Sequence, residues 1–347
     1  MKTKLLILLG IMITTIVLSQ DNDNNPNEIE AHLKKYNPGH YVAISERGKV
    51  DDIKYLDEPA VRGVSKRYPW KMLEPTKGEY DFSAIRSDLE FLGRHKKQLV
   101  VFLIDKSFSE THVLPAYLSK FELKTRSGYC AKRWDPEVMA RLIALGQALA
   151  DEFDSHPNFE GVAIQESALG PSDEVLAANG YTPEKYRDAL INTLKGLKSA
   201  MRYSQVFWYQ NFLPHNNGYL RDIANSIIPD QIIMGGPDIL PYRISLLEVT
   251  YPLYEEFKDK LPLFCSAQGD SYQHHKNDTM YITNDGKLSI EEIHPDGYLS
   301  MEEIFLFARD QLHVNYLFWS YKPLSRKGEH NYDDAIEVIR KYPVFNQ

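Results

Sequence analysis

Eight short apolar runs recur along the chain, and a helical pattern follows each of them. Several runs are apolar throughout rather than alternating, which is typical of strands buried on both faces of a parallel sheet. We predict strands at residues 41–45, 62–68, 99–104, 161–165, 205–209, 232–235, 263–267 and 315–320.

Three of the helical segments have clear boundaries. Residues 135–153 place apolar side chains on one face and begin with the cap and first-turn pair Asp135-Pro136. Residues 183–201 begin in the same way with Thr182-Pro183, and residues 332–342 form a last helix. Strands that alternate with helices at this spacing predict a parallel sheet.

Eight such units predict a closed α/β barrel, the (β/α)8 or TIM fold, formed as a single domain by residues 37–347. No glycine-rich turn follows the first predicted strand, which argues against a dinucleotide-binding fold. Two connections are long, residues 107–134 after the third strand and residues 272–299 after the seventh. Both lie on the face where barrel enzymes carry their active sites.

The amino terminus predicts export. Lys2 and Lys4 precede an apolar run at residues 5–18, which is the pattern of a signal peptide over residues 1–20. The run is shorter than the roughly 20 apolar residues that usually span a bilayer. A polar lead-in follows at residues 21–36, and we expect a secreted or periplasmic protein without a membrane anchor.

Composition narrows the possible partners. The formal net charge of −8 argues against nucleic acid, which needs clustered Lys and Arg. Aromatic residues make up 12% of the chain, and their rings can stack on the apolar faces of sugars. We expect a monomer with no cofactor, and we expect the two cysteines, Cys130 and Cys265, to be buried free thiols.

Polar and aromatic residues follow the predicted strands, where barrel strands converge on one pocket. Glu166 is the strongest catalytic candidate, because it follows a run that should be a buried strand. A carboxyl group there is partly removed from water and could protonate a leaving group. The expected catalytic residues are Glu166 and Asp270, and the expected substrate-binding residues are Trp70, Asp105, Lys106, Gln165, Asn211, Asp238, Gln268 and Trp319.

Residues 67–75, RYPWKMLEP, and residues 78–82, GEYDF, carry a family signal. They resemble the second-strand segment of clan-A-type retaining glycoside hydrolases related to the β-galactosidase families. In those enzymes the acid/base is a Glu that ends strand four, the nucleophile is a Glu that ends strand seven, and a Trp often ends strand eight. The resemblance implies that Glu166 is the acid/base, that Trp319 is the strand-eight Trp, and that Glu74 is structural.

The seventh predicted strand departs from that pattern, because Gln268 stands where the resemblance implies a nucleophile. An amide cannot form the glycosyl ester of a retaining mechanism. Asp270 could serve instead as nucleophile or base, or Asp238 could activate water in an inverting mechanism. A barrel that binds glycan without cleaving it, or a lyase that uses Lys106 or a tyrosine as base, also remains open.

Further signals are weaker. His112, His215 and the pair His274-His275 lack the spacing of metal ligands, so we expect no metal. No G-x-S-x-G elbow occurs, which weakens an esterase hypothesis. Positive side chains near strand ends would suit an anionic, uronic or sulfated glycan; they are Arg62, Arg67, Lys106, Lys132 and Arg133. Trp208 is expected in the core, whereas Trp70 and Trp319 are expected to bind sugar.

Overall fold

The computed structural model describes residues 34–273, 299–322 and 330–346, and it describes the backbone alone at residues 280–282 and 288–290. The expected signal peptide, most of the polar lead-in and the pair His274-His275 lie outside these residues. Within them, no helix is long and apolar enough to cross a membrane.

Eight parallel strands close into a barrel, which confirms the predicted fold class. Each strand pairs with its sequence neighbour, and the first strand pairs with the eighth in the register Tyr41↔Phe318. The barrel strands, numbered first to eighth in chain order, are Gly39–Ile44, Val61–Pro69, Gln98–Ile104, Phe159–Ile164, Gln205–Tyr209, Ile233–Gly236, Leu263–Ala267 and Tyr316–Ser320.

Helices connect most of the strands on the outside. They are Trp70–Leu73, Ser83–Arg94, Pro136–Phe153, Asp173–Ala178, Pro183–Ala200, Tyr219–Ile227, Ile244–Val249, Tyr251–Phe257, Met301–Asp310 and Tyr332–Lys341. Asp135 and Thr182 cap their helices through side-chain oxygens, each with a proline in the first turn, as their sequences predict. The prediction of a helical segment after the first strand was wrong, because only the one-turn 3₁₀ segment Val50–Asp52 forms there.

The long connection after the third strand is an ordered structure. It holds a 3₁₀ helix, Ala116–Phe121, and a two-stranded hairpin of Glu122–Lys124 with Tyr129–Ala131. The hairpin packs back on the strand end, where Ser107 N–H donates to the Tyr129 carbonyl at 2.8 Å. The loop therefore fixes the residues that follow the third strand.

Side chains of the barrel strands divide into two apolar layers, because successive residues of a strand face opposite sides. One cluster fills the barrel interior and includes Phe102, Phe207, Phe264 and Phe318. The larger cluster lies between the strands and the helices. The phase of each strand therefore decides whether its last residues reach the mouth of the barrel.

Glu74 anchors the turn that follows the second strand. Its side chain is fully buried, accepts hydrogen bonds from Trp70 Nε1 and Gly78 N–H at 2.9 Å each, and pairs with Arg141. Gly78 has a φ of +80°, a conformation that glycine adopts without strain. Glu74 thus has a structural role in the segment that carries the family resemblance, as expected.

We predict that Glu74→Gln lowers the free energy of unfolding by about 3 kcal/mol, because it leaves the Arg141 guanidinium without its anionic partner. Urea unfolding followed by circular dichroism measures this loss. Glu79→Gln, at an exposed position in the same turn, is the matched control and should change stability by less than about 0.5 kcal/mol. Equal stability of both variants would contradict a structural role for Glu74.

Candidate functional site

A cavity opens at the carboxyl ends of the barrel strands, and we call it the central cavity. Its volume is about 580 Å³ including the solvent at its mouth, which is in the range of small-ligand sites. It is lined by Arg67, Phe102, Phe108, Gln165, Glu166, Tyr209, Pro237, Asp238, Gln268 and Asp270. The structure thus brings together Gln165, Glu166, Asp238, Gln268 and Asp270 from the predicted set.

The Glu166 carboxylate is held by donors from two other strand ends. Lys106 Nζ donates to its Oε1 at 2.8 Å, and Asn211 Nδ2 donates to its Oε2 at 2.6 Å. The Glu166 side chain keeps 14% of its surface exposed, whereas that of Lys106 keeps 5%. The carboxylate is therefore oriented from behind by two groups while it faces the central cavity.

The backbone around Glu166 is fixed as well. Ser167 Oγ donates to the Asn211 carbonyl at 2.9 Å and accepts from Asn211 N–H at 2.8 Å, which ties the fourth strand end to the fifth. Arg133, from the hairpin loop, donates to the Glu166 carbonyl and forms a buried two-bond pair with Asp105 at 2.6 and 2.7 Å. Neighbouring strand ends and the long loop thus position one carboxyl group.

Asp238 differs from Glu166 in its surroundings. Burial, and then the negative charges of Asp270 and Glu166, raise the pKa of Asp238 from 3.8 to about 7, and Arg243 opposes the shift. No donor within the described part of the chain hydrogen-bonds the Asp238 carboxyl. Asp238 can therefore hold a proton near neutral pH.

The floor of the central cavity is aromatic. The rings of Phe102 and Tyr209 stack with centroids 4.6 Å apart, and Tyr209 Oη lies 2.9 Å from Ser266 Oγ. Gln165 Oε1 accepts from the Lys106 and Asp105 backbone N–H groups at 2.8 and 3.2 Å. This rigid floor lies beneath the three carboxyl groups of Glu166, Asp238 and Asp270.

Phe108 is a lining residue that sequence reasoning missed. Its ring is 58% exposed in the third loop, with Lys106 Nζ 4.6 Å from the ring centroid. An exposed phenyl ring at a cavity mouth offers the apolar platform that we expected of tryptophan. Its position three residues beyond Asp105 was the available signal.

The predicted sugar contacts of Trp70 and Trp319 were wrong. Trp70 is 1% exposed and bonds Glu74, whereas Trp319 is 0% exposed and donates to His40 Nδ1 at 3.0 Å. Trp319 follows the inward-facing Phe318, so the alternation of the strand turns it toward the helices. Trp208 is fully buried, as expected.

Three other predicted substrate contacts lie behind the cavity lining. Asp105 is 5% exposed and its carboxylate pairs with Arg133, so it is not accessible to a sugar. The side chains of Lys106 and Asn211 donate hydrogen bonds to the Glu166 carboxylate, and Lys106 Nζ also donates to the Ala168 carbonyl at 2.8 Å. These residues position the site rather than contact its ligand.

Several secondary expectations have structural outcomes. Cys130 and Cys265 are buried free thiols, as predicted, and burial raises the pKa of Cys130 to about 11. Among the described residues, no group of three or more His, Cys, Asp or Glu side chains is placed to hold a metal ion. His112 contacts Glu122, and His215 lies 3.3 Å from Asp173.

The fold is a (β/α)8 barrel, and it is similar to the barrels of solved glycoside hydrolases. A GH5_18 protein from Bifidobacterium longum subsp. longum, solved with Manβ1-4GlcNAc, is 12% identical, with a TM-score of 0.55, over 89% of this chain and 80% of that one. A β-galactosidase from Marinomonas ef1 is 8% identical, with a TM-score of 0.54, over 87% and 58%. Xylanase 10B from Thermotoga petrophila RKU-1, solved with xylobiose, is 14% identical, with a TM-score of 0.50, over 90% and 96%.

Because the identities are low, these similarities establish the fold class alone. The present chain spans less than two thirds of the Marinomonas enzyme's length. No protein-family model matches the chain, and no curated protein matches it in sequence.

We predict that Asp238→Asn is more stable to unfolding than the native protein, and that this difference in the free energy of unfolding grows as the pH increases. Because the folded pKa of Asp238 is about 7 rather than 3.8, its stabilising effect is complete at low pH and is lost between about pH 4 and 7. We expect a gain of about 2 kcal/mol at pH 8, well below the full linkage value because cavity water screens the charge.

Urea unfolding of native and variant proteins at pH 4 to 8 measures this difference. Asp259→Asn, at an exposed position, is the matched control and should change stability by less than about 0.5 kcal/mol. A pH-independent difference for Asp238→Asn would contradict the raised pKa.

Proposed function

We propose that this chain is an exported glycoside hydrolase that cleaves a glycosidic bond in an oligo- or polysaccharide. The observation that carries the proposal is the set of carboxyl groups, Glu166, Asp238 and Asp270, around one aromatic-floored cavity at the catalytic end of the barrel. Glycoside hydrolysis needs two carboxyl groups in different protonation states on opposite sides of the bond. The amino-terminal sequence supports export to the periplasm or the medium.

We assign Glu166 as the general acid/base and Asp270 as its partner. The Glu166 carboxyl is oriented by two donors and lines the cavity, and Asp270 is an exposed residue of the same lining. Asp238 is the alternative partner, because its pKa of about 7 allows it to exchange a proton at neutral pH. A lyase with Lys106 as base has less support, since Lys106 Nζ already donates to Glu166 Oε1 and to the Ala168 carbonyl.

A binding protein without hydrolytic activity is the second candidate. The observation that favours it is Gln268, which lines the cavity from the seventh strand end where the resemblance implies a nucleophile. Turnover distinguishes the two candidates. Glycan binding without release of reducing sugar from any member of a broad polysaccharide panel would favour the binding protein.

We predict that Glu166→Gln lowers kcat/KM by about 1,000-fold with little change in glycan affinity, because the amide keeps the shape but cannot transfer a proton. Release of reducing sugar and calorimetric binding measure the two quantities. Glu174→Gln, in the first turn of the exposed helix Asp173–Ala178, is the matched control with native activity. Native activity in Glu166→Gln would exclude Glu166 from the reaction.

We predict further that Asp270→Asn reduces kcat by about 100-fold or more, whereas Asp238→Asn mainly alters the pH profile of kcat between pH 6 and 8. Rates of sugar release across that range separate the two aspartates. If Asp270→Asn keeps native rates and Asp238→Asn is inactive, Asp238 is the partner of Glu166.

A further inference from the structure

A second cavity adjoins the central one, and we call it the side pocket. It lies between the ends of the first and eighth strands, and its volume is about 560 Å³ including the solvent at its mouth. Its lining includes Ser45, Gly48, Arg67, Ser320 and Tyr321. Arg67 lines both cavities, so the side pocket begins where the central cavity ends.

Arg67 lies on the second strand with its side chain turned to the barrel mouth. Its guanidinium carbon is 5.7 Å from the centroid of the Phe102 ring on the cavity floor. No ion pair or hydrogen bond joins the guanidinium to any residue that the structure describes, and the side chain is partly buried. By contrast, the neighbouring cations Lys66, Lys106 and Arg133 are each paired with a carboxylate.

The two cavities differ in charge. The central cavity carries the carboxyl groups of Glu166, Asp238 and Asp270, which repel an anionic group at that position. In the side pocket, the described lining holds one formal charge, that of Arg67, together with the Ser45 and Ser320 hydroxyls. A negative group of a ligand is therefore favoured on the side-pocket face of Arg67.

The remaining lining suits a sugar ring. The Tyr321 ring is fixed, because its hydroxyl donates to the Asp52 carbonyl at 2.8 Å and accepts from Lys54 N–H at 3.1 Å. Its ring also packs edge-to-face on Tyr332 with centroids 5.2 Å apart. A fixed aromatic side chain beside two hydroxyls and one guanidinium can bind a ring with one apolar face and one oxyanion.

We propose that the side pocket is a subsite for an acidic sugar, whose carboxylate or sulfate group binds Arg67 while the adjacent glycosidic bond lies over the carboxyl groups of the central cavity. This inference rests on the proposed function for the location of the cleaved bond, but its recognition step is independent of turnover. A planar guanidinium binds either oxyanion through two parallel hydrogen bonds. The substrate class is thus an acidic glycan with the charged residue next to the cleavage site.

Calorimetric binding by the full chain tests the proposal with three sets of oligosaccharides. The first contains fragments of glucuronoxylan, pectin and alginate, the second contains the same fragments after reduction of their carboxyl groups, and the third contains sulfated galactan fragments together with their desulfated forms. We expect at least one acidic fragment to bind roughly 30-fold more tightly than its neutral counterpart. The set that shows this preference identifies the oxyanion as carboxylate or sulfate.

Arg67→Gln should abolish the preference by weakening acidic binding roughly 30-fold with neutral binding changed less than about threefold. Arg67→Lys should retain part of the preference, because charge remains without the two-bond geometry. Arg126→Gln, at an exposed position on the hairpin turn, is the matched control and should keep the full preference. Thermal unfolding midpoints of all three variants report whether each is folded.

Equal binding of acidic and neutral forms, no measurable binding of any acidic fragment, or an equal loss of both forms in folded Arg67→Gln would each overturn the proposal. An acidic preference that depends on Arg67 in a protein that releases no reducing sugar would uphold the subsite and refute hydrolysis. Sugar release from neutral substrates without an acidic preference would do the reverse. The two proposals can therefore fail separately.

Discussion

The Glu166 carboxylate, held between Lys106 Nζ and Asn211 Nδ2, is the contact on which the proposed chemistry depends. The side chains of Lys106 and Glu166 are both largely buried, so solvent and salt screen their ion pair less than they screen a surface pair. It also removes most of the rotational freedom of the carboxyl group before any ligand arrives. Pre-organisation of this kind favours reaction because the geometry needs little adjustment when substrate binds.

The parallel barrel makes that contact possible. Its strands end at one face, so residues that are 45 and 60 positions apart in sequence become neighbours of Glu166. The hairpin of the third loop adds Arg133, whose pair with Asp105 is buried and which also donates to the Glu166 carbonyl. Lys106, Arg133 and Asn211 thus orient Glu166 from behind the lining, and the lining residues remain available for a ligand.

Charge is distributed unevenly across this face. Three carboxyl groups border the central cavity, one of them with a pKa raised to about 7, whereas Arg67 stands unpaired among the described residues where the side pocket begins. Such separation imposes a direction on a chain-like ligand that carries charge at intervals. In the proposed binding mode, a neutral segment lies over the carboxyl groups and an acidic one lies beside Arg67. The proposed cleavage site and the proposed acidic subsite follow from the same asymmetry.

Much of the fold was predictable because a buried parallel strand leaves a strong apolar signal. The strands Gln205–Tyr209 and Leu263–Ala267 have the predicted bounds, and the helix caps at Asp135 and Thr182 are local in sequence.

The site was less predictable for two physical reasons. The phase of the eighth strand places Phe318 in the barrel interior and Trp319 against the helices, so the assignment of Trp319 to the cavity was wrong. The pairing of Asp105 with Arg133 and of Lys106 with Glu166 depends on tertiary contacts that residue type alone does not encode.

The most direct test of the account is a crystal structure of the full chain carrying Glu166→Gln with a bound oligosaccharide substrate. The account predicts the glycosidic oxygen of one linkage within about 3.2 Å of the amide at position 166, above the rings of Phe102 and Tyr209. An oligosaccharide bound elsewhere on the barrel, or one whose linkages all lie beyond hydrogen-bonding distance of position 166, would contradict the central role of Glu166.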